Sequence, residues 1–129
     1  MEYYFKTILK TDFDKAVAKA TDALKTEGFG VITEIDMQAR LKEKLGVDFK
    51  QYKILGACNP AFAYKAIQAE EKIGTMLPCN IVVIDKENGT IEVAAVHPMA
   101  SMIAVQNPAL ETLAKEVTEK LKRVIALLR

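Results

Sequence analysis

A two-residue turn signal, Asn88-Gly89, lies between two runs of strand-forming residues and constrains the fold more than any other feature. The run before it, residues 80–85, contains Ile81-Val82-Val83-Ile84, and the run after it covers residues 90–96. Asn-Gly favours a tight hairpin turn, so the two runs are predicted to form adjacent antiparallel strands. Because the first run is apolar at successive positions, we predict a central strand that is covered on both faces.

Periodic apolar residues predict the other elements. Alternation with a period of two predicts strands at residues 3–9, 29–35 and 52–57. Helical spacing predicts four helices, each of which follows a polar capping residue. These caps are Thr11, Asp36, Asn59 and Asn107, and Pro60 and Pro108 stand at the first position of the last two helices.

The order β-α-β-α-β-α-β-β-α predicts an α+β fold with two layers. We expect a mainly antiparallel five-stranded sheet, with the first and last helices packed on one of its faces. A helix in a connection also permits a parallel crossover, so the directions of the second, third and fourth strands remain open at this point.

Composition limits the classes of function. The chain has 129 residues and a formal charge of +1, and we treat residues 1–129 as a single domain. This charge balance lacks the basic excess of nucleic-acid-binding or membrane-surface proteins, so neither partner is expected. No export signal or membrane-spanning segment is recognised, and two cysteines without such a signal suggest a reducing cytoplasm.

Two short phrases hold both cysteines: Cys58-Asn59-Pro60 and Pro78-Cys79-Asn80. If the third and fourth strands are antiparallel neighbours, the end of one and the start of the other lie at the same edge of the sheet, about 4.8 Å apart. We therefore predict a binding site for a small polar or anionic ligand at Cys58, Asn59, Cys79 and Asn80. If the crossover is parallel, the two cysteines lie a strand length apart and this site does not form.

Each of these residues also has a structural interpretation. Free cysteines are among the most buried residue types, so Cys58 and Cys79 can be small core residues. Asn59 is better explained as the cap of the third helix. For Asn80, a structural role and a ligand-binding role are nearly balanced.

Two further functions are kept as alternatives. Cys58 precedes a helix N-terminus, which can lower a thiol pKa, so it is a candidate nucleophile for a thiol-redox or thiol-transfer enzyme. The apolar fourth strand alternatively suggests a structural module that binds another protein. No phosphate loop, nucleophile elbow or His-Glu-x-x-His motif is present, and the identity of any cofactor is left unknown.

Other polar residues are weaker candidates for a functional site. Cys58, Cys79 and His97, with Met99, have the chemistry of a soft-metal site but not the usual ligand spacing. Glu34 and Asp36 resemble a carboxylate pair. We interpret Asp36 as a helix cap and expect Glu34 to form a cross-strand ion pair with Lys53.

Several motifs together resemble the "domain of unknown function 302" family over nearly the whole chain. They are Gly28-Phe29-Gly30-Val31, Thr33-Glu34-Ile35-Asp36, the segment from Tyr52 to Pro60, and Leu77-Pro78-Cys79-Asn80. The resemblance implies a compact α+β fold of the TATA-binding-protein-like class, with a mainly antiparallel sheet, and suggests a homodimer. It implies neither DNA binding nor a settled activity.

Overall fold

Five antiparallel strands form one layer of the protein and the helices form the other, as predicted. The structure is a computed structural model that describes residues 2–129. The strands are β1 (Tyr4–Leu9), β2 (Gly30–Asp36), β3 (Tyr52–Cys58), β4 (Cys79–Asp85) and β5 (Ile91–Val96). The helices are α1 (Phe13–Thr26), α2 (Met37–Leu45), α3 (Pro60–Ala69), α4 (Pro98–Ser101) and α5 (Pro108–Leu127). Beyond the predicted elements there are α4 and two short 3₁₀ helices, Glu71–Met76 and Ile103–Val105.

The strand order across the sheet is β1-β5-β4-β3-β2, and every neighbouring pair is antiparallel. The chain therefore reverses between β3 and β4, which resolves the direction that the sequence left open. Ala57 lies opposite Cys79 in this register. The hairpin predicted at Asn88-Gly89 joins β4 to β5, and β4 is the central strand.

The main hydrophobic core lies between one face of the sheet and helices α1 and α5. On β4, Ile81 and Val83 point into this core and are 1% and 0% exposed. Val82 and Ile84 alternate to the opposite face, remain partly exposed and belong to neither hydrophobic cluster. The prediction that β4 is covered on both faces is therefore wrong, because the helices pack against one face only.

We call the opposite side of the sheet the outer face. It is defined by the strand residues that alternate away from α1 and α5. They are Tyr4, Lys6, Ile8, Thr33, Ile35, Tyr52, Ile54, Gly56, Asn80, Val82, Ile84, Glu92, Ala94 and Val96.

Most helices begin and end at residues that helix-capping preferences predict. Asp36 caps α2 by accepting a hydrogen bond from the Ala39 amide (3.0 Å). Helix α1 is capped by Asp12, whose carboxylate accepts from the Lys15 amide (2.8 Å), and not by the predicted Thr11. Gly28 follows the last turn of α1 with φ of +83°, a conformation that glycine adopts without steric cost.

A smaller hydrophobic cluster lies beside the main core. Its buried members are Ala66, Ile73 and Leu110, which come from α3, the first 3₁₀ helix and α5. Within residues 2–129, no helix combines the length and the apolar content that crossing a bilayer requires.

Gly56 in β3 provides a test of the sheet packing. A Cβ atom there would overlap the Thr33 hydroxyl and lie 2.7 Å from Cγ of Pro78. We expect Gly56→Ala to lower the free energy of unfolding by about 2 kcal/mol, because overpacking forces neighbouring atoms to move. Urea denaturation followed by circular dichroism measures the change.

The matched control is Gly30→Ala in β2, because a Cβ at Gly30 has no neighbour within 4 Å. We expect that variant to stay within about 0.5 kcal/mol of the wild type. Equal effects of the two substitutions would contradict the close approach of Thr33 and Pro78 to Gly56.

Candidate functional site

An apolar cavity of about 280 Å³ lies where α3 and α5 meet the adjoining ends of β3 and β4. It separates the main core from the smaller hydrophobic cluster, and both contribute to its walls. The lining residues are Phe29, Ile32, Ala57, Cys58, Asn59, Phe62, Ala63, Ala66, Ile67, Leu77, Pro78, Cys79, Pro98, Met102, Leu110, Leu113, Ala114 and Val117.

Both cysteines line this cavity. β3 ends at Cys58, and β4 begins at Cys79, directly opposite Ala57. The antiparallel reversal therefore brings the two thiols to one end of the sheet, as the sequence analysis expected for that chain direction. Both are free thiols with partly buried side chains.

Burial determines the protonation of Cys79. Desolvation, followed by the nearby Cys58, raises the pKa of the Cys79 thiol from 9.0 to about 11. A thiol with this pKa is protonated and neutral near pH 7. Cys79 therefore provides the cavity with a weak S–H donor rather than a thiolate.

Asn59 also lines the cavity, but its role differs from the predicted one. It occupies the N-cap position of α3, yet its side chain makes no capping hydrogen bond. Its amide nitrogen Nδ2 instead donates to the backbone carbonyl of Glu27 (3.3 Å). The prediction of a side-chain cap at Asn59 is wrong, because the carbonyl at the end of α1 lies within reach of the amide and engages it.

Glu27 extends this connection to α5. Its carboxylate accepts hydrogen bonds from Nε and Nη2 of Arg123 at 3.1 and 2.9 Å, and Nζ of Lys120 lies 3.8 Å away. The hydrogen bond from Arg123 lowers the pKa of the Glu27 carboxyl below its ordinary value. Glu27 and Asn59 together connect the end of α1 to the start of α3 and to α5.

Asn80 is separated from the other three predicted residues. It follows Cys79 in β4, so its side chain alternates to the outer face, where it is exposed and borders a shallow groove. It does not line the apolar cavity. The structure thus brings Cys58, Asn59 and Cys79 together and places Asn80 across the sheet from them.

His97 and Met99 also lie outside the cavity walls. The His97 ring packs against Phe5 with centroids 4.5 Å apart, and its Nδ1 is buried without a hydrogen-bond partner in residues 2–129. Desolvation, aided by Lys122, lowers the pKa of His97. Over the same residues, no cluster of three or more His, Cys, Asp or Glu side chains is suited to a metal ion. The alternative site of Cys58, Cys79, His97 and Met99 is therefore not assembled.

The apolar walls were not identified as a site from sequence. Phe62, Ala63, Ala66 and Ile67 have the helical spacing of core residues, but in α3 they face the cavity. The feature of the sequence that could have indicated the cavity is the pair of small residues Ala63 and Ala66, which face larger side chains of α5. The carboxylate assignments are confirmed, since Glu34 pairs with Lys53 at 2.6 Å and Asp36 caps α2.

Comparisons with known proteins agree with this architecture. The family model described as "Domain of unknown function DUF302" matches residues 5–128. A similar solved structure is the crystal structure of the uncharacterized conserved protein DUF302 from Bacillus stearothermophilus, with a TM-score of 0.91 and 28% sequence identity. That match covers 100% of both chains. The comparison with curated proteins found no match.

Substitutions of Asn59 test whether its side chain acts as a hydrogen-bond donor to the Glu27 carbonyl or as the N-cap of α3. We expect Asn59→Asp to lower the free energy of unfolding by about 1–2 kcal/mol, because a carboxylate cannot donate to the Glu27 carbonyl. At a true cap Asp and Asn are equivalent, so Asp36→Asn is the control, with an expected change near zero. Urea denaturation measures both, and a neutral Asn59→Asp variant would contradict the donor role.

Alkylation kinetics test the environment of Cys79. In a Cys58→Ser variant at pH 8, we expect iodoacetamide to react with Cys79 about 100-fold more slowly than with a thiol of pKa 9.0, because the raised pKa reduces the thiolate fraction. The rate should rise about tenfold for each unit of pH until the pKa is approached.

The same variant unfolded in urea provides the control, since its Cys79 should recover the ordinary rate. A folded protein that reacts at the unfolded rate at pH 8 would show that burial does not raise the Cys79 pKa.

Proposed function

The chain belongs to the DUF302 family, a domain of unknown function, and we propose that it binds a small, mainly apolar molecule carrying one polar or anionic group. The cavity of about 280 Å³ carries this proposal. Small-molecule sites are concave and mostly apolar, with a few polar groups that orient the ligand, which describes this cavity.

The apolar walls of the cavity favour a ligand whose main part is apolar. Side chains from α3, such as Phe62, and from α5, such as Leu113, provide apolar surface on facing sides. Ile32 and Ile67 line the cavity while remaining 61% and 45% exposed, so they mark its opening to solvent. An aliphatic or aromatic group entering between them exchanges water for apolar contact, which is favourable by about 25 cal/mol per Å² buried.

The polar residues favour an anionic group at one end. Because Asn59 donates to Glu27 and does not cap α3, it leaves the first amides of that helix, at Ala61 and Phe62, without a side-chain acceptor of its own. Helix N-termini attract anions through these amides and the helix dipole. A monocarboxylic acid with an aliphatic or aromatic body combines the anionic group expected from the sequence with the apolar part that the walls favour.

We expect this binding to take place in the cytoplasm. Two free cysteines are typical of a reducing compartment, where thiols are kept unpaired. Fractionation of cells that express a tagged chain tests this location, and recovery with exported proteins would contradict it.

A second candidate function is thiol transfer at Cys58, which is partly exposed, lines the cavity and precedes α3. In such a reaction the Cys58 thiolate attacks a small disulfide, forms a mixed disulfide and releases the other half as a thiolate. Cys58→Ser distinguishes the two functions, because the variant should still bind a carboxylic acid but could not form the mixed disulfide.

Binding of model compounds tests the leading proposal. By isothermal titration calorimetry and thermal shift, we expect octanoate to bind and stabilise the protein, and acetate to have no effect because it lacks the apolar body. Octanol should bind at least about fivefold more weakly than octanoate, since it lacks the charge that the α3 amides favour.

A matched pair of variants on α3 locates the binding. Ala63 lines the cavity, whereas Ala69 is exposed at the far end of the same helix and does not. Ala63→Phe should weaken octanoate binding at least about tenfold by filling the site, and Ala69→Phe should leave it unchanged. Equal binding to both folded variants, or no binding of octanoate by the wild type, would contradict the proposed site.

A further inference from the structure

A second cavity, of about 550 Å³, adjoins the proposed ligand cavity at α4 and the start of α5. We call it the α4 groove, and all the residues that line it lie within 99–115. Part of its wall is large apolar surface in contact with water, since Met99 is 39% and Ile103 is 74% exposed. Apolar volume is therefore present directly beside the ligand cavity.

Three residues line both cavities and so lie between them: Met102, Leu110 and Ala114. Leu110 and Ala114 belong to α5 and are only 4% and 7% exposed. Met102 lies at the end of α4 and is partly buried. Its amide donates to the Pro98 carbonyl (2.9 Å), and its carbonyl accepts from the Val105 amide (3.0 Å). The backbone of Met102 is thereby held in place, and its long side chain separates the two cavities.

Met102 lies at the end of the cavity that is distant from the proposed anion site. In the proposed binding mode, the anionic group lies at the first amides of α3. Ala66 follows Pro60 by six residues, which is about 9 Å along the helix at 1.5 Å per residue. Met102 packs against the hydrophobic cluster that contains Ala66. An acid bound at the start of α3 therefore reaches Met102 after roughly the length of an octanoate chain.

We propose that Met102 limits the length of the ligand, so that the site is selective for short-chain and medium-chain monocarboxylic acids. This inference rests on the proposed function. In the wild type, the additional atoms of a longer chain meet the Met102 side chain or return to water through the opening at Ile32 and Ile67. In either case they add no apolar contact, so a longer chain gains no affinity.

Of the three shared residues, Met102 is the one whose truncation joins the two cavities at least cost. Ala114 has no side chain beyond Cβ to remove. Leu110 is a buried member of the smaller hydrophobic cluster, so its truncation would destabilise the protein. A methionine side chain is long, unbranched and adaptable, and replacing it is tolerated better. Met102→Ala should therefore connect the ligand cavity to the α4 groove in a folded protein.

Isothermal titration calorimetry with octanoate and tetradecanoate, below the concentrations at which they form micelles, measures the length limit. We expect the wild type to bind tetradecanoate no more than about threefold more tightly than octanoate. Met102→Ala should bind tetradecanoate at least about tenfold more tightly than the wild type does, because six additional methylene groups enter the α4 groove. Its affinity for octanoate should stay within about threefold of the wild-type value.

Leu113→Ala is the matched control. Leu113 lines the ligand cavity but not the α4 groove, and its truncation removes the same number of non-hydrogen atoms as Met102→Ala. It enlarges the cavity without reaching the groove, so it should show no comparable gain for tetradecanoate.

Methyl signals of ¹³C-labelled methionine locate the end of the chain. Met99 lines the α4 groove but not the ligand cavity, and Met76 lines neither. In Met102→Ala, tetradecanoate should shift the Met99 signal, whereas octanoate should not. In the wild type, neither acid should shift it, and the Met76 signal should stay unchanged throughout.

Met102→Val shortens the side chain by two atoms and serves if Met102→Ala does not fold, with an expected gain for tetradecanoate of at least about threefold. A wild type that prefers tetradecanoate by more than about threefold overturns the inference. A folded Met102 variant that gains no more than Leu113→Ala, or whose Met99 signal ignores tetradecanoate, also overturns it. Octanoate binding by the wild type would then still support the proposed function, whereas a wild type that binds neither acid contradicts both.

Discussion

The reversal of the chain between β3 and β4 is the constraint on which the rest of this structure depends. Antiparallel pairing places Ala57 opposite Cys79, so the end of one strand and the start of the next meet at the same end of the sheet. Helix α3 begins there, and its apolar residues meet α5 above the strands. Had the connection been a parallel crossover, the two thiols would be a strand length apart and no common cavity would include them.

Polar contacts connect the helices that surround the cavity. Glu27 accepts from Asn59 through its backbone and from Arg123 through its carboxylate, so α1, α3 and α5 are connected at one point. Hydrogen bonds that involve an ionised partner are stronger than neutral ones. Ala63 and Ala66 of α3 line the cavity with small side chains, which leave space between α3 and α5.

The two sides of the sheet have different chemistry, and adjacent residues of β4 show the contrast. Cys79 contributes to the apolar cavity, whereas Asn80 borders the groove on the outer face. The period-two alternation of a strand makes this separation unavoidable. The sheet therefore separates the cavity from the outer face, and different residues form the two surfaces.

Local signals in the sequence determined the elements: the Asn88-Gly89 turn, the Asp36 cap and the apolar alternation predicted the strands, the four longer helices and the α+β class. These features depend on neighbouring residues, which sequence displays directly. The tertiary structure alone decided that β4 is covered on one face, that Asn59 donates to Glu27, and that α3 borders a cavity. Each of these depends on which distant residues come within a few ångströms, and chain direction and helix placement set those distances, whereas local periodicity does not.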